Sequence, residues 1–200
     1  MRRRQFLIHS STALAAGSLA LAGCTTTSLG GGGAASDSAA QNAAKRASID
    51  ADVDATLTRL YSTVHGSHEL LSKATGVLVF PSVLSAGFWI GGQYGTGALR
   101  VNGRTAGYYS TVAGSFGLQI GAQSKAIIFA FMNQQALDKF LSSQGWAAGA
   151  DATVALVTVG ANGNVDTSTA TNPVEAFVMT NAGLMAGVSL EGVKVSRLLI

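Results

Sequence analysis

Cysteine is almost missing from this chain, with Cys24 the single one among 200 residues. No internal disulfide can form, so stability in an oxidising compartment has to come from packing. Charge is scarce as well. Asp, Glu, Lys and Arg make up 12% of the residues, against roughly 25% in average domains. No histidine follows His68, which removes hydrolase triads that need a histidine after the nucleophilic serine. Beyond the N-terminal segment, no apolar run reaches the ~20 residues that span a bilayer as a helix.

What is present begins with the N-terminus. Arg2, Arg3 and Arg4 are followed by a small, apolar run from Ser11 to Ala22, and then by Gly23 and Cys24. These are the parts of an export signal. Leu21-Ala22-Gly23-Cys24 is the pattern of a bacterial lipoprotein, in which cleavage before Cys24 leaves a thiol that carries lipid. Arg3-Arg4-Gln5-Phe6-Leu7 fits the twin-arginine export motif; the alternative is an ordinary secretory signal with three arginines. Thr25 stands where an Asp would hold a lipoprotein at the inner membrane, so the expected address is the outer membrane, facing the periplasm. Removing Arg2, Arg3 and Arg4 from thirteen basic residues leaves ten against ten acidic ones. The mature chain is then neutral, which removes the main support for nucleic-acid binding.

The pattern divides the chain into a signal (1–23), a lipidated tether (24–46) and one domain (47–200). The tether is Thr, Ser, Gly and Ala, including Gly30-Gly31-Gly32-Gly33. It lacks apolar area to offset ordering and is expected to be flexible, with a reach of ~25 Å. Ile49, Val53, Leu57, Leu60 and Val64 then recur at helical spacing. Ser48 is the expected N-cap, and Asp50, Asp52 and Asp54 suit the helix dipole. Gly66 is expected to break this helix, with a further turn or two from Ser67 to Ala74.

From Gly76 the period changes to two. A short strand is expected to end at Pro81, followed by strands over 88–94 and 98–101. Asn102-Gly103 marks a hairpin. A long strand then alternates through Phe116, Leu118, Ile120 and Ala122, and a buried run spans 126–132. A short helix over 133–141 has Asn133 as its cap and Ala136, Leu137 and Phe140 on one face. Further hairpins are expected at Asn162-Gly163, Asn181-Ala182-Gly183 and Glu191-Gly192. Glycines crowd 87–97 and 107–121, which implies bulges or close backbone approach rather than a ligand cradle. The expected fold is α+β, with N-terminal amphipathic helices on a strongly twisted antiparallel sandwich or barrel-like core.

Lys73-Ala74-Thr75-Gly76-Val77-Leu78-Val79-Phe80-Pro81, Ala86-Gly87-Phe88 and Gly91-Gly92-Gln93-Tyr94-Gly95-Thr96-Gly97 resemble the SYLF domain, also called the Ysc84 actin-binding family. So do Gly107-Tyr108-Tyr109-Ser110, Gly117 to Ser124, Phe131-Met132 and Gly183 to Gly192. The resemblance spans roughly Leu57 to Leu198. It implies lipid binding, with phosphoinositides as ligands in eukaryotic members and actin binding in some fungal ones. Neither ligand suits a bacterial periplasm, so the implied partner here is anionic phospholipid or a membrane surface. No catalytic motif and no cofactor come with the resemblance.

The residues themselves leave enzyme readings weak. Ala113-Gly114-Ser115-Phe116-Gly117 misses the G-x-S-x-G elbow at its first position. His65, His68 and Glu69 are metal-ligand types near a helix bend, and no metal is expected there. For lipid, Lys73, Arg100 and Arg104 are the expected head-group contacts, with Trp89 as an apolar neighbour. Arg100 and Arg104 flank the Asn102-Gly103 turn, which is expected to set them opposite each other around one phosphate. The alternative is a structural or interaction module that uses lipid only through Cys24, with protein partners unknown.

Overall fold

Twenty-six residues, Gly76–Val101, form one continuous strand, β1, around which the rest is organised. The computed structural model describes residues 33–117, 123–158, 165, 172–185 and 188–200, with the backbone alone at 33–37, 86–90 and 115–117. The first part of β1 pairs with β3 (Gln123–Phe131), from Gly76 opposite Phe131 to Ser85 opposite Gln123. The last part pairs along the other edge with β2 (Arg104–Gly117), from Trp89 opposite Gly117 to Val101 opposite Arg104. Pro81 does not end the strand. It falls where the β1–β3 register shifts between Phe80 and Val83, a bulge that accommodates its missing N–H.

The remaining strands are β4 (Trp146–Ala147), β5 (Val154–Leu156), β6 (Val174–Thr180), β7 (Gly183–Leu184) and β8 (Lys194–Arg197). One sheet results, in the order β4-β8-β2-β1-β3-β6-β5, with β7 beside β6. It is strongly curled into a half-barrel. Two expectations need correction. The sheet is mixed, because β5 runs parallel to β6. It is also a single layer with packed groups on both faces, where a two-sheet sandwich was the alternative. The Glu191-Gly192 turn exists, with Gly192 at φ 79°, but β8 joins β2 and β4 instead of folding back on the preceding segment. The Asn162-Gly163 turn and residues 118–122 lie outside the described residues.

Hydrophobic groups alternate along the strands into two clusters. One holds Leu99, Phe129, Phe131, Phe140, Trp146 and Val195. It takes in α3 (Gln134–Ser142), whose Asn133 cap accepts from Ala136 N at 2.8 Å and whose Leu137 and Phe140 are buried, as expected. The sheet curls toward this face. A Cβ at Gly97 would strike the Val79 carbonyl, and one at Gly95 would lie 2.9 Å from Ser82 O. The two ends of β1 therefore meet backbone to backbone, and this close approach accounts for the glycines there.

The other cluster joins Val79, Ala98, Ile128 and Phe177 to Ile49, Val53 and Leu60 of α1 (Gly33–Thr63). Gly66, at φ 84°, separates α1 from α2 (Ser67–Ser72). The helix starts well before Ser48, so residues 33–46 are helical where a flexible tether was expected. Ala34, Ala35, Ala39, Ala40, Ala43 and Ala44 occupy that stretch, and alanine has the highest helix propensity. Composition poor in apolar area did not prevent a helix continuous with the packed part. Glu175 of β6 is 3% exposed, with Asn172 Nδ2 at 3.4 Å; its burial pushes the carboxyl pKa up.

Candidate functional site

The β1–β2 turn has both central residues at positive φ, Asn102 at 51° and Gly103 at 74°, as a two-residue type I′ hairpin requires. The register beyond it is the first surprise. Arg104 faces Val101, and Arg100 faces Thr105. Neighbouring strand residues point to opposite faces, so Arg100 and Arg104 do not converge on one phosphate-sized group.

Arg100 is instead held by α1. Its Nη2 lies 2.7 Å from Asp54 Oδ1 and 3.4 Å from Asp50 Oδ1. Its Nη1 donates to Thr105 Oγ1 at 2.5 Å. Asp50 also accepts from Thr105 Oγ1 at 2.7 Å and from Tyr108 Oη at 2.8 Å. Burial, and then the hydrogen bond to Asp50, raise the Tyr108 pKa. Asp50 and Asp54 are one helical turn apart and share a face, so together they clasp α1 to the hairpin. Expected to support the helix dipole, they serve as the arginine's partners. Asp50→Ala removes the acceptor for two hydroxyl donors and one of the two carboxylates facing Arg100, and is expected to cost about 2 kcal/mol, read as a lower urea midpoint. An unchanged midpoint would mean that the clasp contributes nothing to folding.

Lys73 caps α2 and is exposed, paired with Glu69 at 2.8 Å; that hydrogen bond lowers the Glu69 pKa. Arg104 is exposed on β2. A groove of about 330 Å³ runs between α1, α2 and the hairpin, lined by Tyr61, Leu71, Ala74, Val77, Arg100 and Asn102 among others. Two further grooves, of about 310 and 450 Å³, lie beside the last residues of the chain and beside Leu190. The Trp89 backbone pairs with Gly117, and its side chain lies outside the described residues. Cys24, Arg3 and Arg4 lie outside them too. His68 packs edge-on against Tyr61, ring centroids 4.9 Å apart.

A surface that the sequence did not single out lies further along β1 and β2. Tyr94 is directly opposite Val112, and Val112 is opposite Lys194 on β8. Tyr94 is 52% exposed and Val112 46%, and Lys194 is exposed. Thr96, Ser110 and Ser196 form the next row, and Gly92 and Gly114 the row beyond Tyr94 and Val112. By alternation from Ala98, this is the sheet face that α1 covers elsewhere. The signal for it was present in the sequence: no Asp, Glu, Lys or Arg occurs between Lys73 and Arg100, or between Arg104 and Lys125.

No curated protein matches the chain. A family model does, over residues 112–197, which leaves the quoted blocks between Lys73 and Gly97 outside the match. That stretch, from the end of β2 through β8 with most of the aromatic cluster, is similar to the Ysc84 family, described as Las17-binding protein actin regulator.

Proposed function

We propose that this chain is a lipid-anchored, non-enzymatic domain that associates with anionic phospholipid at a membrane surface. The observation that carries the reading is the Ysc84 match over residues 112–197, joined to the wider SYLF resemblance and its lipid-binding implication. Cys24 supplies the anchor, Arg3-Arg4 the twin-arginine export signal, and Thr25, in place of an Asp, the address at the outer membrane on its periplasmic side. Of the three expected head-group contacts, Lys73 and Arg104 are exposed cations, whereas Arg100 is committed to Asp50 and Asp54.

The test uses residues 25–200, the sequence that follows the expected signal and Cys24. This chain is expected to sediment with phosphatidylglycerol vesicles and to remain in the supernatant with phosphatidylcholine. Binding should weaken as salt rises. In cells, Cys24→Ser is expected to release the protein from the membrane fraction. Equal partition to both vesicle types, or to neither, would leave the interaction-module alternative in place.

A further inference from the structure

We infer that the membrane-contacting surface is the bare sheet face around Tyr94, Val112 and Lys194, and not the Arg100–Arg104 hairpin end. The inference rests on the lipid reading above and names the surface that performs it. Three observations meet there. The first is exposure of an aromatic and a branched aliphatic side chain as a direct cross-strand pair on a face that α1 leaves uncovered. Tyrosine pairs an apolar ring with a polar tip, which suits the boundary between head groups and acyl chains.

The second is the sign of the charge. Lys194 closes the row beside Val112, and its aliphatic stem can lie along the apolar surface with the ammonium at phosphate level. From Lys73 to Lys125, the stretch that supplies β1 and β2, the chain has no acidic residue. On the β4 side of Lys194, Asp151 turns Oδ2 to the Ala147 amide at 2.7 Å. An apolar surface with a cation, Lys194, at its side complements an anionic bilayer. A second copy of the same face would bring Lys194 toward its own counterpart or toward Tyr94, Val112, Thr96, Ser110 and Ser196, none of them acidic.

The third is flatness. Gly92 and Gly114 pair directly and carry no side chains, and Thr96, Ser110 and Ser196 are short. Across β1, β2, β8 and β4 the row from Tyr94 to Ala147 spans about 14 Å at the usual strand spacing. That width accommodates more than one lipid head group, and none of the three grooves described above is lined by Tyr94, Val112 or Lys194.

Gly92 makes a clean test, because a Cβ there meets nothing within 4 Å. Residues 25–200 contain no cysteine, so Gly92→Cys and Arg104→Cys each offer one labelling site. The two lie roughly 30 Å apart along the hairpin. With a nitrobenzoxadiazole label and phosphatidylglycerol vesicles, emission is expected to rise severalfold and shift to the blue at position 92, and to stay flat at 104. Gly92→Glu is expected to weaken vesicle partition at least tenfold with an unchanged circular dichroism spectrum. A response at 104 without one at 92 would overturn the assignment while leaving the lipid reading intact. Absence of vesicle partition by the unlabelled chain would remove both. A signal at 92 that grows with protein concentration in the absence of vesicles would assign the face to a second copy and overturn the inference.

Discussion

Gly97→Ala is expected to abolish the folded domain, although it adds a single methyl group. An ideal Cβ at this position overlaps the Val79 carbonyl oxygen and lies 2.8 Å from both the Val79 carbonyl carbon and Phe80 Cδ1. Two of those atoms are backbone, in a stretch of β1 fixed by its pairing with β3 from Val77 opposite Ala130 to Phe80 opposite Ile127. No rotamer change relieves the contact. The strand ends would have to separate, which pulls apart the cluster containing Phe80 and Leu99. A loss above ~4 kcal/mol is therefore expected, a large part of the 5–15 kcal/mol that holds a typical domain together. Two other glycines provide the scale. Gly103→Ala meets no atom but must adopt φ 74°, at a cost of about 1 kcal/mol. Gly92→Ala meets nothing and is not at positive φ, so it should be close to neutral. The order 97, 103, 92 in thermal midpoint checks the argument. A Gly97→Ala protein that melts within a few degrees of the parent would show that β1 does not close on itself.

The elements legible in the sequence were those specified by neighbouring residues. Asn102-Gly103 announces a type I′ turn because both positions need positive φ, and the structure has both there. Asn133 announces α3 because its side chain caps an amide three residues on. Gly66 separates two helices for the same kind of local reason. The features that misled depend on partners far along the chain. Arg100 looked free because its carboxylates come from α1, fifty residues earlier. β5 looked like a hairpin strand, yet it adds in parallel to the edge of β6, and nothing in Val154–Leu156 encodes that direction. Register also escaped. The two-residue turn itself sets Val101, and not Arg100, opposite Arg104, and a one-residue offset sends a side chain to the other face. The clustered glycines pointed correctly to close backbone approach, but the pairs that touch, Gly97 with Val79 and Gly95 with Ser82, follow only from the fold of β1.

Trp146→Ala is expected to be the most damaging truncation of a side chain. Trp146 is 1% exposed and meets three rings edge-on, with centroids 5.5 Å from Phe129, 6.2 Å from Phe131 and 5.7 Å from Phe140. These rings come from β3 and α3, so the indole joins the helix to the sheet. Removing a buried tryptophan costs about 3–5 kcal/mol through lost transfer energy and the cavity left behind. The local consequence is sharper, because β4 has only Trp146 and Ala147 to pair with β8, through Val195 and Lys194. Without the indole, β4 keeps its backbone bonds around Ala147 and Ala148 but loses its packing on the core, and the edge of β8 that carries Lys194 should open more often. Hydrogen exchange at the Val195 amide should then accelerate more than exchange at Ile128 in the sheet centre. Leu141→Ala, at a side chain 46% exposed on α3, is the control and should cost less than 1 kcal/mol. Near-ultraviolet circular dichroism and the urea midpoint of both variants decide the matter. If the two midpoints fall together, the aromatic cluster does not hold the curled sheet closed, and the Lys194 end of the exposed row must be fixed by other contacts.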